Sequence, residues 1–269
     1  MTSPTRTSFL RSDVYRAIIL ATALAGSIFL TAHVSYNPPP PKTFSFLQTV
    51  PAHGTSITVS DVTGNIFATR WSQPQVLING SIAVTGEGAT PDSVQIQEQY
   101  NPYGSLSFQP FYSDKTPGRG YSVNVNLYIP SKTNFTSISL QAVGGGMIQL
   151  DALNASRTSV ETSAGNITMA LYPAPSGYYS IATHSGGRIN LKVPETSSFT
   201  LHATSGEDGN VTVHGFDKCQ IELNPIDYVS GNTRTTRTST ATITCGDHSA
   251  IVEVTTDPSW AGDIMISSV

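Results

Sequence analysis

Four segments of the chain share one short pattern: Gly145-Gly146-Met147-Ile148-Gln149-Leu150, Ala164-Gly165-Asn166-Ile167-Thr168-Met169, Gly186-Gly187-Arg188-Ile189-Asn190-Leu191 and Asp208-Gly209-Asn210-Val211-Thr212-Val213. The aligned apolar positions Ile148, Ile167, Ile189 and Val211 are 19, 22 and 22 residues apart. Thr and Ser precede the glycine in several copies, as Thr162-Ser163, Thr183 to Ser185 and Thr204-Ser205. A unit this short cannot bury an apolar face alone, so a recurrence near twenty residues implies stacked copies. The pattern reads as a strand end, a tight corner in which glycine takes a positive φ, and a new strand with alternate residues inward. Asn166 and Asn210 beside glycine suit left-handed corners as well.

The expected fold is all-β: a β-solenoid of roughly 20-residue coils, about 4.8 Å apart, with Ile148, Ile167, Ile189 and Val211 stacked as an internal ladder. Ile251, 40 residues past Val211, would close the series about two coils later, with one coil distorted by an insertion around Asn224 to Thr236. A β-sandwich is the rival, since short strands between glycine turns occur there too. Recurrence of the corner itself favours the solenoid.

Upstream, Ser56 to Ser60, Ile66 to Arg70 and Val76 to Thr85 are β-rich, with Gly54, Gly64 and Gly80 as punctuation. Val94 to Tyr100 and Ser105 to Phe111 flank Asn101-Pro102-Tyr103-Gly104, turn chemistry for a hairpin. In Tyr121 to Pro130, Val123, Val125, Leu127 and Ile129 alternate with Asn124, Asn126 and Tyr128, giving one buried face and one wet face. Ile138, Leu140 and Ala142 continue the alternation.

The N-terminus carries Arg6, Arg11 and Arg16 ahead of an uncharged apolar run from Ala17 to Ala32. Tyr15 and Tyr36 bracket the run at a separation of roughly 31 Å on a helix, close to a bilayer core flanked by aromatic belts. The expected organisation is a cytoplasmic tail at 1–16, a transmembrane signal anchor at 17–36, a Pro-rich stalk at 37–43 and an extracytoplasmic domain at 44–269. A cleaved signal peptide is the alternative for the same segment, though Leu30-Thr31-Ala32 offers a poor cleavage site. Cys219 and Cys245 are the two cysteines of the chain, and an exported location predicts a disulfide between them.

Composition excludes some functions. The net charge of −4 and pI near 5.8 leave no basic excess for a phosphate backbone, so nucleic acid is not an expected partner. Motifs for a nucleophile elbow, a zinc protease, a phosphate loop and a dinucleotide fold are absent from the sequence. Glu207 and Asp208 neighbour each other in a glycine-flanked corner, a solvated-turn arrangement more than a catalytic or calcium pair. His184, His202 and His214 are spaced out of step with the repeat, so no metal site is expected. Aromatics cluster at Tyr100, Tyr103, Phe108, Phe111 and Tyr112, and at Tyr172, Tyr178 and Tyr179. Packing is their plainer role and a binding platform the sharper one. Candidate glycosylation sequons fall at Asn79, Asn134, Asn154, Asn166 and Asn210.

The alternating strand ending in Ile129-Pro130, then Ile138-Ser139-Leu140, then successive Gly-x-Ile corners preceded by Thr-Ser, resembles the "putative adhesin" domain of unknown function found on bacterial and archaeal envelope proteins. The resemblance spans roughly Thr55 to Thr255 and departs from the pattern after Gly209. It implies a β-solenoid at the cell envelope, with no catalytic residues and no cofactor to carry over. The functional expectation is a non-enzymatic, adhesin-like surface interaction or structural module, anchored in the membrane and facing a surface protein, a glycan or the cell wall. An envelope sensor with a membrane partner and a glycan-active enzyme are the alternatives.

Overall fold

The computed structural model describes residues 39–50, 53–85, 90–113, 120–153, 155–206, 209–230 and 233–269, all within one unit, Pro39–Val269. The expected tail, the anchor and the first residues of the stalk lie outside the described residues. No helix among the described residues is long and apolar enough to cross a membrane. The first strand already begins at Lys42, inside the segment expected to be stalk.

Two large sheets carry nearly all of the structure. Sheet A has nine strands: β1 (Lys42–Thr49), β3 (Ile66–Trp71), β4 (Gln75–Val84), β7 (Tyr121–Pro130), β9 (Ile148–Leu153), β11 (Ile167–Leu171), β13 (Ile189–Val193), β15 (Val211–His214) and β19 (Ile264–Ser268). Sheet B has ten: β2 (His53–Val62), β5 (Val94–Asn101), β6 (Ser105–Tyr112), β8 (Asn134–Ala142), β10 (Ala155–Thr162), β12 (Tyr178–Thr183), β14 (Phe199–Thr204), β16 (Gln220–Ser230), β17 (Thr233–Cys245) and β18 (Ala250–Thr256). From β7 to β15 successive strands alternate between the sheets, and neighbours along the repeat run parallel. The expected hairpin is present as antiparallel β5 and β6, with Gly104 at φ 104 and the Asn101 carboxamide accepting the Tyr103 N–H at 2.9 Å.

The inward residues of sheet A stack in register. Ile148, Ile167 and Ile189 are cross-strand partners, as the spacing predicts, and all are 0% exposed. Val211 is not the next rung. Ile264 pairs with Ile189 on one side and Val211 on the other, so the final strand of the chain inserts between two earlier ones. Sheet B does the same, with β18 between β12 and β14. Ile251, expected on the ladder, instead lies in β18 with its side chain 45% exposed on the far face. At the other end, β3 inserts between β7 and β9, so that Val125 and Ile66 extend the ladder. The stack order is therefore 125, 66, 148, 167, 189, 264, 211. Each of these side chains contributes roughly 1.5–3 kcal/mol of burial.

The corner chemistry also differs from expectation. Gly145 and Gly186 do have positive φ, at 93° and 83°. The recurring glycine of the motif does not, and neither do Asn166 and Asn210. That glycine is needed because stacked corners touch through their backbones: a Cβ on Gly146 would overlap the Gly64 carbonyl, one on Gly165 the Gly146 carbonyl, and one on Gly187 the Gly165 carbonyl. The preceding threonine is buried and closes the corner. Thr162 Oγ1 donates to the Gly146 carbonyl at 2.9 Å and accepts the Gly165 N–H at 3.1 Å. Thr256 Oγ1 donates to the Gly262 carbonyl at 3.2 Å and accepts the Gly206 N–H at 2.7 Å.

The irregular stretch near residue 224 is a long antiparallel hairpin, β16–β17, whose base joins β14. Cys219 and Cys245 form a disulfide across that base, with Cα atoms 4.6 Å apart. Gln220 and Thr244 pair immediately inside it.

Candidate binding face

Between the two inward ladders of sheet A, each strand turns one side chain outward at the same level. Read across the register, this row is Ser45, Asn79, Asn126, Phe67, Gln149, Thr168, Asn190, Met265 and Thr212. All nine are exposed or half-buried, and none is ionisable. Five of them carry amides or hydroxyls able both to donate and to accept beside Ser45 and Thr212, which do likewise. Behind this row lies the corner row, in which side-chain amides brace successive corners. Asn124 Oδ1 accepts the Asn65 N–H at 3.0 Å, Asn65 Oδ1 the Met147 N–H at 2.9 Å, and Asn166 Oδ1 the Arg188 N–H at 2.9 Å. Asp263 Oδ1 accepts the Asn210 N–H at 3.3 Å, while Asp263 Oδ2 faces Arg188 Nε at 3.4 Å. The two formal charges of that row therefore cancel locally.

Two depressions open on these same rows. One, of about 540 Å³, lies across β1, β4 and β7 and is lined by Phe44, Ser45, Asn79, Asn124 and Asn126 among others. The second, of about 350 Å³, lies across β13, β19 and β15 and is lined by Arg188, Asn190, Asn210, Thr212, Asp263 and Met265. Within them Asn126 Nδ2 donates to Asn79 Oδ1 at 3.2 Å, and Asn210 Nδ2 to Thr212 Oγ1 at 3.1 Å. The side chains are thus oriented before any ligand arrives.

The outer face of sheet B is chemically different. Its central row starts with the hydroxyls of Ser107, Thr58, Ser139, Ser159 and Ser180 and continues into Glu253 and His202. Arg157, Tyr178 and Glu161 flank it. The Tyr178 hydroxyl bonds to the Glu253 carboxylate, which holds the phenol above its usual range.

The residues singled out in the sequence distribute as follows. The histidines do not converge: His184 Nε2 faces Glu161 Oε1 at 2.7 Å, His202 Nδ1 lies 3.4 Å from Thr242 Oγ1, and His214 ends β15 in the other sheet. Among the described residues no group of His, Cys, Asp and Glu side chains could hold a metal. Glu207, Asp208 and Asn154 lie outside the described residues. The aromatic clusters divide. Phe108, Tyr112 and Tyr179 are buried, whereas Tyr103, Phe111, Tyr172 and Tyr178 are exposed. Of the sequons, Asn134 is exposed at the start of β8, while Asn79, Asn166 and Asn210 belong to the sheet A rows. The outward row was missed because it requires the cross-strand register. Its signal was present in the residue that follows each apolar corner position: Gln149, Thr168, Asn190 and Thr212.

Fold and face together define an all-β protein of two large sheets presenting a broad hydrogen-bonding surface. The solved structure of a "putative cell adhesion protein" from Clostridium sporogenes has a similar fold, with a TM-score of 0.55 and 13% identity over 86% of this chain and 100% of that one. A "putative adhesin" from Bacteroides fragilis matches with a TM-score of 0.31 and 11% identity over 85% of this chain and 97% of that one, too weak a superposition to support an argument. No family model matches the sequence, and neither does any curated protein. The adhesin resemblance seen in the sequence thus has a counterpart at the level of the fold, and of the fold alone.

Proposed function

We propose that this protein is a non-catalytic, adhesin-like interaction module displayed outside the cell, and that its working surface is the outer face of sheet A. The observation that carries this reading is the uncharged row crossing all nine strands, with prearranged amides and a depression near each end. Such a face can be rigid because its side chains stand on strands, so little conformational entropy is lost on binding. The disulfide supports an oxidising, extracytoplasmic location. The apolar run from Ala17 to Ala32, bracketed by Tyr15 and Tyr36, supports a single membrane span over 17–36, with the Pro-rich segment as spacer. We read the parallel centre of the molecule as a solenoid whose end coils are out of sequence order.

The test is binding of the full-length protein, in liposomes, to envelopes of the source cells. Paired arginines on sheet A (Asn126→Arg with Thr168→Arg) should abolish binding, and paired arginines on sheet B (Ser139→Arg with Ser159→Arg) should leave it intact. The reverse pattern would place the working surface on the other sheet.

A further inference from the structure

We infer that the ligand of the sheet A face is a linear, uncharged polysaccharide lying across the strands; this rests on the interaction-module reading above. The two depressions are centred near β4 and β19, six strand steps apart, which corresponds to roughly 29 Å at about 4.8 Å per step. One sugar ring cannot reach both, whereas an extended chain can, and the row between them is continuous.

The chemistry of the depressions selects the ligand class. Sugar hydroxyls both donate and accept, and the carboxamides of Asn79, Asn126 and Asn190 offer both functions on one planar group. The Arg188–Asp263 pair adds a strong donor and a strong acceptor while remaining neutral as a unit. A phosphate or acidic polymer would need a basic excess that this row lacks. Phe67, half-buried between the two depressions, and Met265, 47% exposed, give apolar contact for the C–H faces of sugar rings. A peptide adding to the sheet would use a strand edge, and this row lies on the face.

Full-length protein should be mixed with suspended cellulose, chitin and β-1,3-glucan, with polygalacturonate as the acidic comparison, and depletion from solution measured at low and high salt. The inference predicts retention on at least one of the neutral polymers, insensitive to salt, and weakened tenfold or more by Asn126→Ala and by Asn190→Ala, with melting temperatures unchanged. Retention on polygalacturonate alone, or retention unaffected by both variants, overturns it. If no polymer retains the protein while the sheet A arginine variant still loses envelope binding, the polysaccharide inference falls and the interaction-module reading stands. If that variant binds envelopes as wild type does, both fall.

Discussion

Gly165 shows most clearly how a residue serves the stack. A methyl group there would enter the carbonyl of Gly146, a backbone atom that cannot rotate away. Gly165→Ala is therefore expected to destabilise the protein by about 3 kcal/mol or more, in the range of severe overpacking. Chemical denaturation measures it, and a loss below about 0.5 kcal/mol, the scale of a neutral surface change, would show that the corners are not in contact. Tyr179 is a second such residue. It is fully buried, its hydroxyl donates to the Ala155 carbonyl at 2.9 Å and accepts the Ala174 N–H at 2.7 Å, and burial pushes its phenol above the ordinary range. Tyr179→Phe strands both backbone groups and should cost about 1–3 kcal/mol. Because the folded-state value is raised, the neutral phenol's contribution is complete below the unfolded-state value near 10 and is lost as pH rises through the folded-state value. Wild-type stability should consequently fall in an alkaline titration from about pH 10 upward, and the Phe variant should lose less over that interval.

At the scale of elements, the repeated corner was legible because it is local: Gly, a braced residue, then an inward aliphatic. The same unit occurs as Thr63-Gly64-Asn65-Ile66 and as Gly262-Asp263-Ile264, but these copies lie outside the regular spacing and went unread. Their spacing is broken because the intervening chain builds other strands, including the β4–β7 pair and the β16–β17 hairpin. The pairing of Cys219 with Cys245 was legible from compartment and count, while its location at a hairpin base was not. Closing that loop should stabilise the fold by roughly 3–4 kcal/mol in the chain-entropy model. Replacing both cysteines by serine should lower the melting temperature. It should also speed amide exchange first in β17 next to Cys245, and uniform acceleration across the molecule would argue against a local clamp.

For the whole molecule, the decisive feature is the out-of-order stack. In a sequential repeat array the C-terminal coil is an end cap, and its loss shortens the molecule. Here β18 and β19 lie inside both sheets, and every neighbour they have belongs to an earlier part of the chain. Deleting residues 250–269 should strip one sheet neighbour from each of β12, β13 and β14 and the only ladder partner of β15, and so abolish cooperative unfolding, as followed by circular dichroism and size exclusion. A truncated chain that melts like the full one would mean that β14 can dock directly on β12. The alternation of apolar and polar residues was enough to predict buried and wet faces, yet not which strands stand side by side. The candidate face depends on that adjacency, since Phe67 comes from 59 residues upstream of Asn126 to stand between it and Gln149.

The central claim, that the molecule works through the outer face of sheet A, is tested most directly by hydroxyl-radical footprinting of the full-length protein, free and bound to source-cell envelopes. Met265 reports on the sheet A row and Tyr178 on sheet B, with similar exposures of 47% and 42%. Engagement should reduce oxidation of Met265 several-fold and leave Tyr178 unchanged. Protection of Tyr178 with Met265 still reactive would contradict the account.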